Sequence, residues 1–133
     1  MANKVKRYHK DIFFPEWSEE SIKIFLSTLR KKKSLSITVH CLGKVVEYCF
    51  EYGRQMLKYL LKSVRKSYLE PSAIFEFYAI EQEVTKICVR FSFESFPVDL
   101  VLVISADGTI ITVFTTNKGD FHGSLDTSLY ERK

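Results

Sequence analysis

From Val84 to Thr116 three apolar runs are separated by turn signals. In the first, Ile87, Val89, Phe91 and Phe93 alternate with Lys86, Cys88, Arg90, Ser92 and Glu94. Side chains on a strand point to opposite faces with period two, so the first set reads as core-facing and the second as facing outward or into a cleft. Phe96-Pro97 interrupts the run, because proline donates nothing to a ladder. Leu100 to Ile104 is almost pure hydrocarbon, the pattern of a strand covered on both faces. Ala106-Asp107-Gly108 predicts a tight hairpin, and Thr109 to Thr116 the returning strand. Ile74 to Glu81 predicts one more strand ahead of these, with Glu81-Gln82-Glu83 as the polar turn between.

The first half of the chain changes period. Ile22, Phe25, Leu26 and Leu29 recur at helical spacing after Ser18-Glu19-Glu20. Ser18 is the expected cap, the acids suit the first turn, and Arg30 to Lys33 suit the last. Leu35, Ile37 and Val39 alternate, as a short strand or as an extended entry to the next helix. Cys41 to Leu69 is helical in pattern with a break expected at Gly53. Val45, Val46, Cys49 and Phe50 read as one apolar face, and Leu57, Leu60, Leu61 and Val64 as another.

The expected architecture is one α+β domain over residues 1–133. N-terminal helices pack on one face of a four- or five-stranded antiparallel meander. The parts are a basic and aromatic arm (1–17), a helical region (18–69), the sheet (74–116) and a C-terminal tail packed on the domain (117–133). In the arm, Ile12, Phe13, Phe14 and Trp17 read as an anchor and His9 as exposed. In the tail, Phe121, Leu125, Leu129 and Tyr130 argue for packing.

Composition narrows the class. No apolar run is long enough to span a bilayer, and residues 1–10 lack the apolar core of a signal peptide, so a cytoplasmic protein without a membrane partner is expected. Cys41, Cys49 and Cys88 sit inside apolar patterns without the spacing of a zinc site, so they read as reduced core thiols. No metal or other cofactor is expected. The chain carries a net charge of +4, unevenly spread. Residues 1–70 hold 15 Lys and Arg against 7 Asp and Glu, and residues 71–133 hold 5 against 9. Arg54, Lys58 and Lys62 recur at four-residue steps, followed by Arg65 and Lys66. Such a basic helix face suits either phosphate binding or plain solvation.

The remaining chemistry lies in three places: His40 at the start of the second helix, Arg90 in ICVRFSF, and Thr112 in GTIITVF. In that order, on helices followed by a meander, these resemble the small metal-independent ribonucleases of the barnase, EndoU, colicin and RelE-like superfamily. The resemblance covers about Ser18 to Thr116. It implies an endoribonuclease in which a ribose 2′-hydroxyl attacks the adjacent phosphate, with toxin-like activity held in check by a cognate inhibitor protein. His40, or alternatively His122 in the tail, would move protons, Arg90 would hold the phosphorane, and Thr112 would assist it. The residues also have plainer readings: His40 as a helix cap, Arg90 paired with Glu76 or Glu94, Thr112 as a strand former. Two other function classes follow from these: a non-catalytic RNA- or protein-binding adaptor, and a homodimer formed through an exposed Ile74–Glu81 strand. An enzyme requires His, Arg and hydroxyl in one cleft, whereas a binding module does not.

Overall fold

The computed structural model describes residues 4–65, 69–119 and 126–133. Six strands and three helices occur in the order β1 (Lys6–His9), α1 (Glu16–Arg30), β2 (Ser36–Ile37), α2 (Val39–Tyr52), α3 (Gln55–Val64), β3 (Ile74–Ile80), β4 (Glu83–Phe91), β5 (Val98–Ser105) and β6 (Thr109–Asn117). They form an α+β fold with one mixed sheet, ordered β1-β3-β4-β5-β6-β2. Every pairing is antiparallel except β2 with β6.

The meander β3 to β6 follows the expected order, and two further strands extend it. The basic arm supplies β1, which pairs along β3 from Lys6 opposite Ala79 to His9 opposite Glu76. Ser36–Ile37 lies beside Thr109 and Ile110 as the other edge. The sheet therefore has six strands rather than four or five, and a strand precedes the helices. Both additions are short, four and two residues. The alternation of Leu35, Ile37 and Val39 that allows a short strand is realised at Ser36–Ile37, whereas Lys6–His9 shows no period of its own and the backbone groups of β3 decide it. β3 is hydrogen-bonded to β1 and β4, which removes Ile74–Glu81 as an exposed pairing edge.

The core lies between one sheet face and the helices. Ile22, Phe25, Leu26 and Leu29 of α1, Cys41 and Val45 of α2, and Met56, Tyr59 and Leu60 of α3 join Phe77, Ile87, Val89, Leu100, Leu102, Ile104 and Val113 in one buried cluster. Phe91 and Phe93 are half-buried against it. The expected register of β4 holds: Phe91 packs toward the helices, and its neighbour Arg90 points to the opposite face, where it meets Asp99. β5 is buried almost throughout, as its hydrocarbon run predicts.

Local chemistry sets the element ends. Pro15, not Ser18, stands at the N-terminus of α1, and Ser18 is buried one turn in with its hydroxyl donating to the Pro15 carbonyl at 2.6 Å. Thr38 caps α2: its Oγ1 accepts from Cys41 N at 3.0 Å and donates to the Ile111 carbonyl at 2.8 Å, so one hydroxyl both starts the helix and ties it to β6. The β5–β6 hairpin turns at Gly108, whose φ of +84° is costly for any residue with a Cβ. Asp107 Oδ1 accepts from Thr109 N at 3.1 Å to complete the turn.

Candidate functional site

The face without helices has its own composition. Phase along β4 puts Lys86, Cys88 and Arg90 on it, and register carries it across to Tyr78 and Glu76 of β3 and to Val101 and Val103 of β5. Phe75, Cys88 and Val101 form a small buried cluster there, with Tyr78 and Val103 against it. Cys88 is therefore a buried free thiol, as the core-thiol reading expects, on the face that alternation assigns to polar residues, and that burial raises its thiol pKa, with nearby Glu76 adding to the effect.

Beside the cluster lies a charged network. Glu76, 4% exposed, accepts from Arg7 Nη2 at 2.7 and 3.0 Å and from Nε at 3.2 Å. Tyr130 Oη donates to the same carboxylate. The Arg7 guanidinium lies 4.7 Å from the Tyr130 ring centroid and 5.1 Å from that of Tyr78. Burial alone would raise the Glu76 pKa, but hydrogen bonds from Arg7, Tyr130 and Cys88, with the Arg7 charge, reverse this and lower it. Through Tyr130, and through Glu131 N donating to the Arg7 carbonyl at 2.7 Å, the network ties the end of the chain to β1. Tyr130 thus packs as the tail reading expects; Leu129 is exposed, and Phe121 and Leu125 lie outside the described residues.

His9 is fully buried rather than exposed. Its ring packs edge-on against Phe75 and Tyr130, and Nδ1 accepts from Asp11 N at 3.1 Å.

A cleft of about 330 Å³ opens on this face at the end of β4. Lys10, Asp11, Ser72, Arg90, Ser92, Asp99 and Lys118 contribute its polar lining. Arg90 forms part of the wall. Its Nε and Nη2 both reach Asp99 Oδ2 at 2.8 Å, and Nη2 donates to the Asn117 carbonyl at 3.2 Å. The partner is thus Asp99 on the adjacent strand, not Glu76 or Glu94. Asp99 is 5% exposed, and its Oδ1 meets no hydrogen-bond donor among the described residues.

The other expected site residues are dispersed. Thr112 shares the face of Arg90, as its place on β6 implies, but it stands level with Val103 and Cys88, whereas Arg90 stands level with Val101 and Phe114. That is one side-chain row apart and two strands across, about 7 Å along and about 10 Å sideways between backbones. Arg90 extends the other way, toward Asp99 and Asn117. His40 is exposed in the first turn of α2, in the helical layer across the sheet from Arg90. His122 lies outside the described residues. The described residues therefore do not gather His40, Arg90 and Thr112 around one phosphate position. Arg54, Lys58 and Arg65 are exposed and Lys62 is half-exposed along α3, with Lys58 and Lys62 each about one ring's width from Tyr59; Lys66 lies outside the described residues. That basic stripe is also in the helical layer, so it and the Arg90 cleft occupy opposite sides of the molecule.

In the sequence pattern Lys10 belongs to the basic arm, with Lys4, Lys6 and Arg7, and carries no site role, and nothing in the pattern marks Lys118. Lys10 reaches the cleft because β1 pairs with β3, and Lys118 because it follows directly on β6. Among the described residues no group of His, Cys, Asp or Glu is placed to hold a metal ion, and no helix is long and apolar enough to cross a membrane. Comparison with known proteins finds no matching family, no matching curated protein and no matching solved structure.

Proposed function

We propose that this chain is an RNA-binding α+β module that takes the phosphate backbone at the cleft on the helix-free face. The observation that supports it is the meeting there of Lys10, Arg90 and Lys118 with the hydroxyl residues Ser72 and Ser92. Lys10 and Lys118, the latter also donating from Nζ to the Phe93 carbonyl, offer point charges to phosphate, and serine hydroxyls can donate to its oxygens. Arg90 presents a planar fork of donors to the cleft wall. Its pairing with Asp99 makes it a positioned wall rather than a free clamp, so the rim lysines carry most of the attraction. The separation of His40 from Arg90 favours binding over cleavage by that pair.

The test is fluorescence anisotropy with a labelled single-stranded RNA at several salt concentrations. Lys10→Glu with Lys118→Glu should weaken binding and flatten its salt dependence, by a slope of about 0.7 for each lost phosphate contact on a single strand. Lys58→Glu with Lys62→Glu on the other side should leave affinity near wild type. The reverse result moves the interface to α3, and no binding at low salt refutes the proposal. Incubating the same RNA with protein in EDTA separates the stronger reading. Cyclic phosphate ends, lost in Arg90→Ala while circular dichroism is unchanged, would make the module a metal-independent ribonuclease.

A further inference from the structure

The helices expose more hydrocarbon than their sequence pattern implies. Val39 and Phe50 are 89% exposed, and Leu42, Val46, Leu57 and Leu61 are about half exposed or more. At 100° per residue, Val39, Leu42, Val46 and Phe50 form one stripe along α2, and Leu57 and Leu61 form a second along α3. The stripes meet at a hollow of about 330 Å³ lined by Leu42, Val45, Val46, Cys49, Phe50 and Leu57. Together these six exposed side chains offer on the order of 600–700 Å² of surface, at or above the largest patch of an ordinary monomer and near one partner's share of a standard interface.

We infer that this face docks a second copy of the same chain, with the α2–α3 surface of one protomer on the α2–α3 surface of its mate. Area is the first argument, since one such face supplies about half of what a stable dimer buries. Charge is the second. On α2 the same 100° step puts Glu51, and Glu47 with Lys44 paired to it at 3.4 Å, beyond the apolar stripe on the side away from Leu57, a flank of two acids and one base. On α3 it puts Arg54, Lys58 and Lys62 beyond Leu57 and Leu61, on the side away from α2. Net acid on one flank and base on the other make the face self-complementary about a two-fold axis that lies in the surface and runs along α2. Each protomer's acidic flank then covers its mate's basic flank, as an isologous interface requires. Phe50, the largest of the six and with Val39 the most exposed, is the anchor, entering the mate's hollow beside Cys49. This surface and the RNA cleft lie on opposite sides of the sheet, so the inference stands independently of the proposed function.

Sedimentation equilibrium from about 1 to about 200 μM tests it, over the range in which modest interfaces associate. The wild type should pass from monomer to dimer. Phe50→Glu and, separately, Leu61→Glu should each raise the dissociation constant at least ~30-fold, as loss of a central apolar anchor does. Both side chains are exposed in the protomer, so circular dichroism and melting temperature at low concentration should be unchanged. Alkylation of Cys49 should slow as the wild-type concentration rises and stay constant in Phe50→Glu. A wild type that remains monomeric at the highest concentration overturns the inference and assigns the face to a different protein. A dimer that neither variant weakens overturns it by placing the interface elsewhere.

Discussion

Replacing Glu76 with Gln should destabilise the domain at its helix-free face. The carboxylate is 4% exposed and takes three close contacts from Arg7 and one hydrogen bond from Tyr130. A carboxamide has the same shape but no charge, and its amino group would oppose either the guanidinium or the tyrosine hydroxyl. Breaking a buried pair costs about 3–5 kcal/mol. The Arg7 side chain is 28% exposed and would regain water, which argues for the lower end, about 3 kcal/mol. For a domain of this size that is a fall of roughly 10 °C in melting temperature at pH 7. The pH dependence carries the sharper test. The folded-state pKa of Glu76 is lowered, so its contribution is fully present above the unfolded value of about 4.3 and disappears as pH falls through the lower folded value. Melting followed by circular dichroism should therefore show a wide gap between wild type and Glu76→Gln from pH 7 to about 5, closing below about pH 4. A gap of under about 3 °C at neutral pH, or one that persists unchanged at pH 3, would refute the account of this network.

Other outcomes are equally open to measurement. Thr38→Ala should cost about 2 kcal/mol in urea unfolding, the upper end for a lost cap, because the same hydroxyl also ties α2 to β6. Gly108→Ala should cost about 1 kcal/mol or more through its positive φ; the Lys32 side chain its Cβ would meet is flexible enough to move aside. In the β3–β4 turn, Glu81 and Gln82 both have positive φ, at 49° and 67°, so an Asn-Gly pair there should raise stability by about 1 kcal/mol, and a lower midpoint would contradict the turn geometry. Thiol titration of the native protein should find Cys49 reactive, with buried Cys41 and Cys88 responding only in denaturant.

Much of the fold is written in short-range pattern. The alternation through Ile87, Val89 and Phe91 carries one face of β4 to the helices and Arg90 to the other face, because successive side chains on a strand must diverge. The unbroken hydrocarbon from Leu100 to Ile104 requires cover on both faces, and Asp107-Gly108 requires a turn. The helical spacing from Ile22 to Leu29 is enough to orient α1. These properties belong to the residue and its near neighbours.

Partnership across the sheet is another matter. Nothing local makes Lys6–His9 a strand; the free backbone edge of β3 does, and it carries His9 into the interior and Lys10 to the cleft. Arg90 stands four residues from Glu94 along its own chain, yet register brings it to Asp99. Val46 and Phe50 are as apolar as Cys41 and Val45, but a helix lying on a sheet buries only one stripe, and packing leaves the first pair outside. The sequence determined which segments could form a core. The tertiary structure decided which charges meet, which histidine is buried, and which hydrocarbon stays exposed, because those depend on pairings between residues far apart in the chain.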